Sequence, residues 1–103
     1  MPPTAPYDDQ SLPFFTVGQV SAMLDVQQPF LRRLEDFELV APERSDGNQR
    51  RYSRDDVDKV SEIVGLIDEG LTLAGVRRVL ELQAEVDSLK RQLAAARKSA
   101  RRS

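Results

Sequence analysis

Five arginines, Arg32, Arg33, Arg44, Arg50 and Arg51, fall within one twenty-residue stretch, and no lysine or arginine precedes Arg32. A guanidinium is planar, permanently charged and carries five N–H donors in a fork that matches pairs of phosphate oxygens. Gln27 and Gln28 stand just before the cluster, and a glutamine amide can bond adenine bidentately through N6 and N7. These residue types can hold a phosphate backbone and read base edges. They supply neither a nucleophile nor a general base.

Other chemistry is excluded by what the chain lacks. Cysteine and histidine are both absent, which removes thiolate and imidazole metal ligands, disulfides and nucleophile–histidine catalysis. A carboxylate pair is the remaining catalytic option. The Asp and Glu residues sit in amphipathic, helix-like contexts with no glycine-rich phosphate loop beside them, so no enzyme, metal or cofactor is expected. The start, MPPTAPYDDQSLP, has neither the basic segment nor the apolar stretch of a secretory leader, and no apolar run reaches the ~20 residues that span a bilayer. The expected location is the cytoplasm. Across 103 residues the net charge is −2 and the pI about 5.1, so a nucleic-acid footprint must come from charge distribution rather than its sum. The cations concentrate at 32–33, 44–54, 77–78 and 90–102.

Periodicity then supplies the elements that must position the arginines. Residues 1–13 hold four of the six prolines and no amphipathic period, so they read as a disordered N-terminal tail with order starting near Phe14. Thr16 and Gln19 form a T-x-x-Q capping box, and Val17, Val20 and Leu24 follow at helical spacing, predicting a helix over 17–24. A turn at Asp25-Val26 leads to a second helix from Gln28, with Pro29 in its first turn and Phe30, Leu31, Leu34 and Phe37 on its apolar side. Two short helices so joined make a helix-turn-helix pattern. Leu39-Val40 and Arg51-Tyr52 read as strands of a hairpin with its loop at 45–49, where Gly47 and Asn48 tolerate positive φ. Such a hairpin beside a helix-turn-helix is a wing. Ser53 and Asp56 cap a third helix carrying Val57, Val60, Ile63, Val64 and Ile67, which Gly70 ends. Thr72 caps a fourth, with Leu73, Val76, Val79 and Leu80 facing inward.

Beyond it, Val79, Leu82, Val86, Leu89, Leu93, Ala96 and Ala100 alternate spacings of three and four, a coiled-coil pattern. This stripe outlasts the fourth helix by about 18 residues, or roughly 27 Å at helical rise. A domain this small cannot cover that length, so Val79, Leu82, Val86, Leu89, Leu93 and Ala96 are assigned to homodimerisation. The final RKSARRS is expected to fray.

The order of elements, with LRRLEDFELVAPERSDGNQRRYSRDDV at its centre, resembles the MerR family of winged-helix transcription regulators. The residues that carry the likeness are Phe15-Thr16-Val17-Gly18, Leu31-Arg32, Glu35, Leu39-Val40, Arg50-Arg51-Tyr52-Ser53 and Gly70-Leu71-Thr72-Leu73-Ala74-Gly75-Val76. The RRYS and LAG segments look nearest the heat-shock-repressor (HspR-like) branch. Against the family pattern, the paired aromatics after Arg32 are replaced by Arg33-Leu34, and Glu38 stands where glycine is usual, at a position of positive φ costing about 1–2 kcal/mol. The resemblance implies a mainly α, winged helix-turn-helix domain over 14–78 and a dimerisation helix over 79–103 forming an antiparallel coiled coil. It implies a sequence-specific homodimeric regulator, a repressor, on an inverted-repeat promoter site. Double-stranded DNA and a second copy are the expected partners, with RNA polymerase or a chaperone as further candidates.

Each residue has two readings. Thr16 is a helix cap first and a phosphate ligand second. Arg32 and Arg33 reach phosphate, or Arg32 pairs with Asp36 for a few tenths of a kcal/mol, about what an i,i+4 pair supplies. Arg50 and Arg51 alternate faces on a strand, so one addresses phosphate while the other packs along the second helix. Arg44, Asn48 and Gln49 complete the wing's DNA-facing set. Tyr52 either donates its hydroxyl to phosphate or covers the core. Glu35, Asp36, Glu38 and Glu43 near this face would repel phosphate, which keeps open a protein-interaction module, and an excisionase-like DNA-bending protein is the other rival.

Overall fold

A computed structural model of the protein describes residues 9–102. The elements run β1 (Phe15–Thr16), α1 (Val17–Leu24), α2 (Gln28–Asp36), β2 (Glu43–Arg44), β3 (Arg50–Tyr52), α3 (Arg54–Asp68) and α4 (Leu73–Arg102). Local chemistry fixes the start of α1 as predicted. Thr16 Oγ1 accepts the Gln19 N–H at 3.1 Å and Gln19 Oε1 accepts the Thr16 N–H at 2.8 Å, so two orphan donors are satisfied reciprocally. Asp25, at φ 53°, turns the chain out of α1. Pro29 lies in the first turn of α2, where its missing N–H costs no helical bond.

α2 buries Leu31 and Leu34 completely, and Phe30 and Phe37 pack at the core's edge. It ends at Asp36 with Phe37 as its C-cap; Glu38 follows at φ 59°, and the Leu39 N–H then bonds the Leu34 carbonyl at 2.9 Å. A glutamate thus occupies the left-handed position expected of it. Leu39 and Val40 do not form the predicted strand. Both are core residues, 4% exposed, because the turn at Glu38 directs them inward. Pairing begins only after Pro42, which has no N–H to offer a ladder, so the wing strand is Glu43–Arg44.

The sheet has the order β1-β3-β2, antiparallel throughout, with Phe15 opposite Tyr52, Thr16 opposite Arg51, Glu43 opposite Arg51 and Arg44 opposite Arg50. β1 was not anticipated: two residues carry no alternation of their own, and only their partner strand reveals them.

Ser53 Oγ accepts the Asp56 N–H at 3.0 Å while Asp56 Oδ2 accepts the Ser53 N–H at 2.9 Å, opening α3 with the predicted capping box. The Gln10 carbonyl accepts the Asp55 N–H at 3.0 Å, a first-turn donor that has no partner inside the helix. Asp9 Oδ1 fixes this turn by accepting the Ser11 N–H at 2.9 Å and its hydroxyl at 2.7 Å. Order therefore starts earlier than Phe14; the rest of the expected tail, residues 1–8, lies outside the described residues.

Gly70, at φ 101°, separates α3 from α4, and Thr72 Oγ1 caps α4 by accepting the Gly75 N–H at 3.1 Å. α4 runs unbroken for 30 residues, about 45 Å at helical rise, and the expected 78/79 boundary falls inside it. Its basic end is helical through Arg102. After Gly75 it contains neither glycine nor proline, and Ala94, Ala95, Ala96 and Ala100 are strong helix formers. Val76 is fully buried and Leu73 and Leu80 pack on the core. Arg77 donates to the Phe37 carbonyl, with its guanidinium 5.3 Å from the Phe37 ring centre. This contact joins α4 to the end of α2.

Candidate nucleic-acid interface

α2 presents its polar side to solvent: Gln27, Gln28, Arg32 and Arg33 are all exposed. Gln27 precedes the helix and its side chain makes no capping bond. The Arg32–Asp36 pair is not formed, and among the described residues neither Arg32 nor Arg33 makes an ion pair. Both guanidinium groups are available to an incoming anion.

The wing is closed by the Ser45 N–H on the Gln49 carbonyl and the Asn48 N–H on the Ser45 carbonyl, each at 2.8 Å. Asn48 takes φ 59°, and Asn48 and Gln49 are exposed at the tip. Arg44 and Arg50 stand opposite each other across the strands and so share one face. That face looks toward α2. Arg50 Nε lies 2.5 Å from Glu35 Oε2, and Arg44 Nη2 lies 3.4 Å from Glu35 Oε1. Arg44 also reaches the Asn48 carbonyl at 3.4 Å. The hydrogen bond that Arg50 donates to Glu35 holds its guanidinium pKa above its usual value. Of the two alternating arginines, Arg50 is the one packed along the helix. Arg51 faces the other way, half-buried, with one long bond of 3.5 Å to the Arg50 carbonyl.

One of the predicted contacts is altered by packing. Tyr52 is 0% exposed, and its hydroxyl meets no hydrogen-bonding group among the described residues. Burial pushes the phenol pKa up. Strand alternation places it on the inner face, so it is a core residue beyond the reach of phosphate, and the phosphate role is corrected to the packing one. Thr16 is engaged as the α1 cap.

Residues predicted for dimerisation lie along one side of α4. Leu82, Val86, Leu89 and Leu93 are 42, 47, 56 and 51% exposed, while Val79 is half-buried and Ala96 exposed. Among the described residues, no group of three or more acidic side chains could hold a metal ion, and no helix is long and apolar enough to cross a membrane.

A capped helix-turn-helix, a paired wing and a long trailing helix define a specific architecture, and the profile of the MerR HTH family regulatory proteins matches residues 15–83. The chain belongs to the MerR HTH family. It is 39% identical over 88 residues to the HTH-type transcriptional regulator GlnR of Bacillus anthracis, covering 82% of this chain and 68% of that one. It is also 32% identical over 91 residues to HspR of Streptomyces coelicolor, covering 86% of this chain and 60% of the relative. Among solved structures, a MerR-family transcriptional regulator from Bacillus cereus superposes with a TM-score of 0.61 at 18% identity, over 82% of this chain and 69% of that one. HiNmlR, a MerR-family regulator lacking the sensor domain and bound to promoter DNA, gives 0.59 at 17% identity, over 82% and 86%.

Within this MerR-family fold, two residues had signals too weak to assign from sequence. Glu35 read as one of four phosphate-repelling carboxylates, yet it is the anchor of the wing. Arg77 stood in the sequence only as one of the two cations at 77–78. Only the three-dimensional approach of residues separated by 15 and 40 positions shows either role.

Proposed function

We propose that this chain is a homodimeric transcription regulator that binds an inverted-repeat promoter site, seating α2 in the major groove and the wing against the flanking backbone. The observation that carries the reading is the pair Arg32 and Arg33, exposed and without ion-pair partners on α2. They stand beside a wing that carries Arg44 and Arg51 and behind two exposed glutamines. Gln27 and Gln28, at the helix start, are the base-reading residues of the proposal, and the arginines set affinity and register through phosphate. The transcriptional regulator GlnR among its relatives, and the promoter-bound HiNmlR among structures of like fold, support the same conclusion. A dimer occupying a promoter blocks polymerase without further chemistry, so the outcome proposed is repression, in the cytoplasm and on the nucleoid.

If each subunit neutralises about three to five phosphates, the dimer loses about 10³–10⁵ in affinity between 50 and 200 mM salt. Sequencing genomic fragments captured by the purified protein at those two salt concentrations is the test. Recovery of promoter fragments sharing an inverted repeat, retained at the higher salt, is the expected result. Fragments without a shared site overturn it, and enrichment at recombination sites would favour the DNA-bending rival instead.

A further inference from the structure

Glu35 is a carboxylate on the helix that is to face phosphate, a placement that opposes binding unless its charge is used elsewhere. Its two oxygens are divided between two wing guanidinium groups, Oε2 at 2.5 Å from Arg50 and Oε1 at 3.4 Å from Arg44. The side chains of Glu35 and Arg50 are 25 and 24% exposed, and that of Arg44 is 42% exposed. Two cations and one anion leave this cluster a single net positive charge.

We propose that Glu35 is a specificity-determining residue. Its carboxylate withholds one unit of wing charge from phosphate in general, and it fixes both guanidinium groups against α2. They then meet the backbone in one register, the one in which α2 is seated in the groove. The inference rests on the DNA-binding reading above. Its physical basis is that sequence-independent binding grows with the number of phosphates neutralised, whereas specific binding adds base contacts that need a fixed orientation. A charge withheld and a direction imposed therefore weaken unrelated DNA more than the correct site. Arg44, held at the longer distance and the more exposed of the two, is the guanidinium that phosphate can draw away.

Glu35→Gln keeps the shape and one acceptor oxygen but removes the charge. Fluorescence anisotropy from 50 to 200 mM salt would compare a duplex obtained by in vitro selection with a scrambled duplex of the same composition. One extra phosphate per subunit steepens the scrambled-duplex salt slope by about 1.8 for the dimer and tightens its binding on the order of tenfold. The selected duplex gains less, so the ratio between them falls. In Glu35→Gln combined with Arg50→Gln the cluster returns to one net charge, and the wild-type slope should return. An unchanged slope in the single variant overturns the proposal. So does parallel weakening on both duplexes, or a steep slope that persists in the double variant. Thermal melts establish that each variant is folded; should Glu35→Gln fail to fold, Glu35→Asp must keep the wild-type slope, and a steeper one overturns the proposal. Wild-type protein that ignores both duplexes defeats the DNA-binding reading itself, a result distinct from binding whose slope does not respond to residue 35.

Discussion

At the scale of single residues, the proposed interface separates charge from reading. Arg32 carries an exposed guanidinium with no ion-pair partner among the described residues, so Arg32→Ala should weaken binding to every duplex and lower the salt slope by about 1 per subunit. Gln28→Ala should leave that slope alone and cost about 1–3 kcal/mol only at one base step, which selection from a randomised site would reveal. Equal effects of both variants on all sequences would remove the base-reading assignment. Tyr52 belongs to stability rather than binding. Its hydroxyl is buried without a hydrogen-bonding group among the described residues, and such a group costs about 1–3 kcal/mol when unsatisfied. Tyr52→Phe should therefore raise the unfolding free energy by about 1 kcal/mol. The pH response has a definite sign. The folded phenol is pushed above its ordinary value of 10.0, so the unfolded chain loses its proton first. The stabilisation is complete below that value and is lost as pH climbs through the folded pKa. Urea unfolding across that alkaline range should show the decline in the wild type and a shallower one in Tyr52→Phe, and identical curves would refute it.

Among the elements, the junctions carry the unusual conformations. Glu38 sits at φ 59° where α2 ends, a region that costs a side chain about 1–2 kcal/mol. Glycine there relieves the strain but makes the unfolded chain freer by up to about 1 kcal/mol. Glu38→Gly should stabilise the domain by about 0.5–1 kcal/mol, measured by chemical denaturation, and a destabilised variant would contradict the strain. This position was legible in the sequence because the resemblance placed a glycine there. The caps at Thr16 and Ser53 were legible for a local reason: both halves of each box lie three residues apart. What could not be read was set by distant partners. Leu39 and Val40 have the composition of a strand, yet the turn before them commits both to the core. β1 exists because Phe15 finds Tyr52, a pairing that no two-residue stretch announces. The site followed the same rule. The exposure of Arg32 and Arg33 was identifiable from helical phase, whereas the division of Glu35 between two wing arginines depended on how hairpin and helix dock.

For the molecule as a whole, in the dimer proposed above, the long helix decides whether two reading heads act as one. An inverted repeat offers its half-sites one helical turn apart, about 34–36 Å, and a lone domain cannot use that spacing. Leu82, Val86, Leu89 and Leu93 form a half-exposed apolar row on α4, and a second copy of the same row is the partner proposed for it. Leu89 is the most exposed of the four, at 56%, and is absent from the domain core. Leu89→Lys should therefore spare the fold of residues 14–78 while placing a charge inside the paired stripe. Sedimentation equilibrium should change from a dimer to a monomer. Far-UV circular dichroism should fall modestly, because a helix end deprived of tertiary packing is marginal in water. Affinity for a full inverted repeat should drop about 10²–10⁴-fold as the second half-site ceases to be an intramolecular contact, while affinity for an isolated half-site stays the same. Arg77→Ala supplies the contrast, since it cuts the tie between α4 and the Phe37 carbonyl without touching the stripe. That variant should remain dimeric but tolerate altered half-site spacing, because it loses the hydrogen bond that joins the end of α2 to α4. A Leu89→Lys protein that stays dimeric and binds the full repeat with undiminished affinity would mean that some other surface joins the subunits.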